Sequence, residues 1–307
     1  MGLSTPPAGY RLVTRGDLDG LACAVLVTSC ETVGEIALVH PQAVADGRFD
    51  VESRDIIANL PYGTGCAKWF DNHQLTDARS TPAPDFDGRY GQAPSAARLV
   101  YQYYLPSHQQ LARHAELLDE TDRLDSASLT VKDIVDPQGF ILLGYTLDPR
   151  SGFGEFRDYF DHLLELIRDG APGAVFDSPK VRERIAMMRR QDARFRELTL
   201  SHSRRDHNVV VTDFRSLDSK PVGNRFLVYT LFPEANVSLR IHWGPRKESV
   251  AVSVGHSILN RGCRTNVGVL MSMYGGGGHR GAGSCVIEIQ KAEAGIAEIV
   301  QTLRRNG

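Results

Sequence analysis

Tyr10-Arg11-Leu12-Val13-Thr14-Arg15-Gly16-Asp17-Leu18-Asp19-Gly20 is an apolar run that breaks into a polar turn, and the apolar stretch Leu21–Cys30 that follows is too long for an ordinary strand. Strand, tight turn and helix in that order open a βα unit, with Gly20 letting the backbone turn closely. The alternation continues outward through Ile36–His40, Asp55–Ala58, Ala67–Phe70 and the helical Ser95–Tyr104. It predicts an α/β domain on a mainly parallel sheet. In such sheets the loops at the carboxyl ends of the strands converge on a crevice, so polar residues just after strands come first as candidates.

With 307 residues, 42% of them hydrophobic and 23% charged, the chain is long enough for two domains with substantial cores, and global disorder is excluded. Thirty-five Lys and Arg against 37 Asp and Glu give a net charge of −2, so bulk charge drives neither nucleic-acid nor membrane binding, and any polyanion must be held locally. The five cysteines lack a C-x-x-C pair and sit mostly in apolar runs, which reads as reduced core residues. The first residues carry no leader-like pattern and no window is apolar enough to span a bilayer, so a cytoplasmic protein without a membrane partner is expected.

Around Ser178–Leu200 apolar residues recur at helical spacing among many charges, with Ser178 placed to cap and Pro179 suited to a first helical position. This long helix is the expected connector (179–205) between a first domain (1–178) and a second (206–307). After the polar cluster Ser201–Asn208, short runs at Val209–Thr212, Phe226–Leu231, Val237–Trp243, Val250–Val254 and Cys285–Ile289 read as strands. With helical stretches at Asn266–Tyr274 and Ala292–Arg305 they predict a smaller α+β domain.

Four segments carry chemistry. Asp17 and Asp19 stand at i and i+2 and, in extended geometry, point to one side and could share a divalent cation; a surface turn with a capping Asp is the ordinary alternative. Trp69-Phe70-Asp71-Asn72-His73 ends an apolar strand in an acid and an imidazole, able to complete a metal site or position a phosphoryl oxygen, although a lone loop His is more often structural. Asp119-Glu120-Thr121-Asp122-Arg123-Leu124-Asp125-Ser126 supplies several carboxylates and, alone, reads as a solvated face. Gly275-Gly276-Gly277-Gly278-His279-Arg280 exposes backbone N–H groups beside two donors suited to an anionic oxygen; a linker would not run at once into a strong strand.

Taken together these segments resemble the DHH phosphoesterases with a C-terminal DHHA1 domain, relatives of RecJ exonuclease and the nanoRNases, and most of all their exopolyphosphatase-like bacterial members. The resemblance covers essentially the whole chain and rests on four motifs in the family's order. It implies hydrolysis of phosphodiester or phosphoanhydride bonds by water activated on one or two manganese or magnesium ions, with a phosphate-containing small substrate or short nucleic acid held between two domains. A homodimer is compatible with it. Carried over by position, Asp17 and Asp19 match the first motif, Asp71 and His73 the outer letters of the D-H-H motif, and Asp125 the later aspartate, with Asp122 the alternative. Gly275, Gly276, Gly277, Gly278 and His279 match the loop that binds the substrate's end.

Three positions depart from the pattern. Arg15 stands where many relatives have a metal-binding His; it cannot ligate a cation but can clamp phosphate. Asn72 replaces the central His of the third motif and gives a weaker, neutral oxygen ligand. At the second motif Asn59 is the favoured ligand if the strand Asp55–Ala58 ends there, and Asp55 otherwise. The expectation is one ion near Asp17, Asp19 and Asp125, with a second weak or absent. In the second domain Arg264, Arg225, Arg261, Asn266 and His256 are expected to converge on the glycine run, while His242 and Trp243 read as packed strand residues. Two readings follow. One is a metal-dependent phosphoesterase with Asp17, Asp19, Asp71, His73 and Arg15 at the reacting centre. The other is a catalytically weakened nucleotide- or polyphosphate-binding protein with an incomplete metal site.

Overall fold

The computed structural model describes residues 9–73, 82–83, 85–171 and 173–306. By its internal contacts the chain divides into two units, Met1–Ser128 with Gln138–Met187, and Leu129–Pro137 with Met188–Gly307.

The first unit opens with β1 (Tyr10–Thr14), α1 (Leu18–Thr28), β2 (Val33–Leu38), α2 (Pro41–Ala45), β3 (Asp55–Ala58), β4 (Lys68–Asp71), β5 (Gly88–Tyr90) and α3 (Ala96–Tyr104). Its five strands are all parallel and lie in the order β2-β1-β3-β4-β5. Every residue of β3 is buried, as a sheet covered on both faces requires. Alternating side chains reach different cores: Leu12, Ile56 and Phe70 pack with Leu21, Val25, Val100, Tyr159 and Phe160, whereas Val13, Ile57 and Trp69 pack with Val44 and Leu60. Helices α4 (Ala115–Asp125), α6 (Gly139–Thr146) and α7 (Phe156–Asp169) complete this unit, and α5 (Val131–Val135) belongs to the second. The strand order reverses direction between β1 and β3, and at such a switch point the carboxyl ends leave a crevice.

The connector is helix α8 (Pro179–His202). Pro179 does open it, Arg182 N bonds the Ser178 carbonyl, and Ser178 Oγ hydrogen-bonds His162 Nε2 at 2.8 Å. The polar cluster after it holds a strand: β6 (Ser203–Asp206) pairs antiparallel with β7 (Val209–Asp213) through a turn in which His207 takes φ 58°. The run Phe226–Leu231, expected as a strand, is helix α9 (Leu227–Leu231). Asn224 starts it, its Oδ1 accepting from Phe226 N and its carbonyl from Leu227 N; a five-residue apolar run has no period by which to tell the two apart. Strands β8 (Val237–Trp243) and β9 (Ser249–His256), helix α10 (Val267–Ser272), strands β10 (Gly277–His279) and β11 (Ala282–Glu288) and helix α11 (Ile289–Arg305) follow. They form a mixed six-stranded sheet, β10-β11-β9-β8-β7-β6, with only β7 and β8 parallel. Its core joins Val211, Leu239, Val252 and Ile287 to Met271, Ile299 and Leu303 of the covering helices.

Candidate functional site

Three strands of the first sheet end in the acids and amides singled out above. After β1, Asp17 is the N-cap of α1, its Oδ1 accepting from Gly20 N at 2.9 Å. A Cβ on Gly20 would lie 1.9 Å from the Arg15 carbonyl oxygen, so the turn admits only glycine. Asp19 already belongs to the first helical turn, which corrects the extended i, i+2 geometry. Its side chain, 2% exposed, is held by another part of the chain: its two oxygens accept from Ala96 N (2.9 Å) and Ala97 N (2.8 Å), the free N–H groups that open α3 beneath its N-cap Ser95.

After β3, Asn59 takes φ 58°, a left-handed conformation asparagine tolerates better than most residues. Its Nδ2 donates to Asp17 Oδ1 at 3.0 Å. Asp55, its competitor for the ligand role, is fully buried and gripped by Arg11 through Nε (2.7 Å) and Nη2 (2.8 Å). After β4, buried Asp71 accepts from the His73 ring Nδ1 at 2.7 Å and from His73 N. Asn72 Nδ2 donates to Ala93 O and, at 3.4 Å, to Asp125 Oδ2. Asp125 and Asp122 lie in the last turn of α4, not beyond it. Asp122 turns aside to Ser95 Oγ (2.6 Å) and Arg98 Nε (2.7 Å).

Asp17, Asp19 and Asp125 therefore share one region with Asn59, Asn72 and His73, while Asp122 and Asp55 are tied into ion pairs elsewhere. Burial, then Asp125 and then Asp17, push the Asp19 carboxyl well above its ordinary value despite its two N–H donors. Burial and then Asp17 push Asp125 up, with His73, Asn72 and Arg15 opposing. The hydrogen bond to Asp71 raises His73. Arg15 reaches Asp17 Oδ2 at 3.0 Å.

Among the described residues no three His, Cys, Asp or Glu side chains stand arranged around a cation position. Two further observations fit one: Asn59 Oδ1 and Asn72 Oδ1 are both buried without a hydrogen-bond partner. An orphaned buried carbonyl costs about 1–3 kcal/mol, and these two sit beside clustered carboxylates. The side chains of Asp17, Asp19, Asp125, Asn59 and Asn72 offer oxygen atoms, the donor type magnesium and manganese take, with Nδ2 of each amide turned to a carboxylate here.

In the second unit the glycine run is a hairpin arm, not a free loop. Gly275 N and Gly276 N donate to Ser272 O and Met271 O, and β10 pairs with β11 at Gly277↔Ser284, Gly278↔Gly283 and His279↔Ala282. A Cβ on Gly276 would meet Ser284 O at 2.0 Å, and one on Gly278 would meet Ala282 O at 2.3 Å, whereas Gly277 has nothing within 4 Å. His279 is exposed, its Nδ1 accepting from Gly281 N. Val267 N bonds Arg280 O and His256 Nε2 bonds Thr265 O, so exposed Arg264 stands one residue from the hairpin's partners. Arg225 lies at the start of α9 with its guanidinium over the Phe226 ring.

Two features escaped the sequence reading. The N-terminus of α3 as the anchor of Asp19 is a contact across 77 residues, and only Ser95 before an apolar run hints at it. The other was countable: the first unit holds 16 Lys and Arg against 25 Asp and Glu, the second 19 against 12. The near-zero total conceals a basic second unit.

No family model matches the chain, and no curated protein does. Solved structures do. A pGpG-specific phosphodiesterase, PggH from Vibrio cholerae, superposes with TM-score 0.83 at 33% identity over 97% of this chain and 100% of its own. Manganese-bound RecJ from Thermus thermophilus gives TM-score 0.60 at 13% identity over 96% of this chain and 52% of its own. An exopolyphosphatase-related protein from Bacteroides fragilis gives 0.53 at 11% over 97% and 94%. The last two share the fold; the first shares sequence along its entire length. On that identity, and with the strand-end acids and the glycine hairpin in the order described, the chain belongs to the DHH/DHHA1 phosphoesterase family.

Proposed function

We propose that the protein is a metal-dependent phosphodiesterase acting on a substrate of dinucleotide size, of the class that pGpG represents. The observation that carries this is the company of Asp17, Asp19 and Asp125 with the two unpartnered carbonyls of Asn59 and Asn72. The likeness to a phosphodiesterase specific for pGpG supports the substrate size. Asp17, Asp19 and Asp125, joined by Asn59 and Asn72, would hold manganese or magnesium, which when bound supplies acidity to water and neutralises phosphoryl charge.

The chain's own residues do the rest. Asp19 keeps the cluster fixed by its bonds to Ala96 N and Ala97 N. His73, oriented through Nδ1 by Asp71, presents Nε2 as the atom that gives a proton to the departing oxygen, and the hydrogen bond to Asp71 raises its pKa in the direction that favours the protonated ring. Arg15, which pairs with Asp17 Oδ2 at 3.0 Å, would offer its planar fork to a phosphate oxygen. His279, Arg264 and the open Gly277 would take the terminal phosphate, with Arg225 a further cation of the same basic unit.

One observation favours the second reading, a binding protein with little turnover: Arg15 already neutralises Asp17, and two of the five donors are uncharged amides. A panel of pGpG, pApA, polyphosphate, cyclic dinucleotides and short RNA, assayed with manganese, separates the two. Turnover of the linear dinucleotides, abolished by Asp19→Ala, is expected; tight binding of a panel member with no turnover would replace the enzyme by the sensor.

A further inference from the structure

The second unit carries a cavity remote from the glycine hairpin. It has a volume of about 320 Å³ and is lined by Phe214, Lys220, His242, Trp243, Arg246 and Lys247, with Asp218 as its carboxylate. The volume lies at the lower end of the range for small-ligand pockets. It opens where the parallel pair β7 and β8 ends, Asp213 lying opposite Ile241, the same kind of strand-end crevice that gathers ligands in parallel sheets. Strand β8 separates it from the hairpin: Val237 pairs with His256, next to the hairpin, while Trp243 pairs with Val250 at the other end. Seven residues of strand span roughly 20 Å.

We propose that this cavity is a second anion site, taking a phosphate monoester on a body about the size of one nucleoside. Three cations and one carboxylate line it, and Arg246 also makes an exposed ion pair with Glu248 at 3.2 Å. His242 Nδ1 is buried and has no hydrogen-bond partner. Burial, Lys220 and Arg240 push His242 down to about 4, so the ring is neutral and can give one N–H to a phosphate oxygen. The turn joining β8 to β9 holds Arg246 and Lys247 at φ 55° and 60°. Hairpin turns with two consecutive positive φ values favour Asn-Gly, and here two long cations occupy them and border the cavity. The half-exposed Trp243, fixed by its Nε1 bond to Arg215 O at 2.8 Å, adds aromatic surface for a planar ring, with Phe214 buried behind the cavity. This site does not depend on the hydrolytic reading, and either can fail alone.

Titration calorimetry on the full chain in EDTA tests it, with inorganic phosphate, ribose 5-phosphate, 5′-AMP, 5′-GMP and the dinucleotide pApA as probes. The mononucleotides should bind, more tightly than phosphate, and change tryptophan fluorescence. Lys247→Glu and the pair Lys220→Ala with Lys247→Ala, all at exposed positions, should weaken them at least tenfold with an unchanged melting temperature. His242→Phe should do the same, while Arg305→Ala, an exposed cation outside the cavity, stays within twofold. A preference for pApA with the same variant pattern would assign the cavity to an oligonucleotide's terminal phosphate instead of a free nucleotide. Mononucleotide binding that His279→Ala abolishes and the lysine variants leave intact overturns the proposal, as does no binding at millimolar concentration.

Discussion

Asp125→Asn should move the stability of the protein in opposite directions with and without metal. In EDTA, Asp17, Asp19 and Asp125 oppose one another, since Asp125 raises Asp19 and Asp17 raises both. Removing one of those charges should therefore stabilise the fold, by about 1 kcal/mol, the order at which clustered like charges oppose folding. Were Asp125 half of a structural ion pair, the same change would cost about 3–5 kcal/mol. With manganese the sign turns: a cation at a hundred times its dissociation constant stabilises the wild type by about 2.7 kcal/mol. For a unit of about 180 residues that is a rise of roughly 5–10 °C in Tm, of which the variant should keep less than a third. Differential scanning fluorimetry across a manganese series reads both arms. A variant less stable than wild type in EDTA, or one that still gains the full increment from manganese, would refute the donor set.

Asp55→Asn breaks the buried pair with Arg11 and should cost about 3–5 kcal/mol in urea unfolding, while manganese binding by the folded fraction is retained; loss of metal binding would return Asp55 to the candidate ligands. Gly277→Ala meets no atom within 4 Å, so Tm should hold while KM for a dinucleotide rises severalfold, whereas Gly276→Ala, 2.0 Å from Ser284 O, should lower Tm itself. His114 is buried, and burial and Arg113 hold it down to about 4. The folded state thus binds fewer protons than the unfolded one between pH 4 and 6.5, and the His114 contribution is complete above pH 6.5 and lost as pH falls towards 4. His114→Gln should flatten the wild-type loss over that window by about 3 kcal/mol; an unaltered pH profile would contradict the buried neutral ring.

Where sequence and structure agree, the signal is local. The strand, Gly20 turn and helix around Asp17 were readable because a cap, a glycine and an apolar run lie within a dozen residues, and α8 because its helical spacing persists over 24 residues. The elements that the sequence did not announce are short. Leu227–Leu231 has too few residues for a period, and Ser203–Asp206 is an edge strand whose Arg204 and Arg205 look like loop charges. At the site, the residue types were legible and their company was not. Nothing near Asp19 in the sequence announces Ala96 and Ala97, and the separation of Asp125 from Asp122 is decided by Arg98 and Ser95.

The segment Leu129–Pro137 leaves one unit for the other and then returns. Ile134 is buried there, and its carbonyl meets Asn224 Nδ2 across 90 residues. On the ribosome this short stretch must wait, its apolar side uncovered, until α9 has been synthesised, while helices flanking it in the gene can already close their own core. A gene cut at the connector would likewise strand it in the wrong fragment, so the carboxyl-terminal half expressed alone needs those nine residues grafted back to be a fair copy of itself.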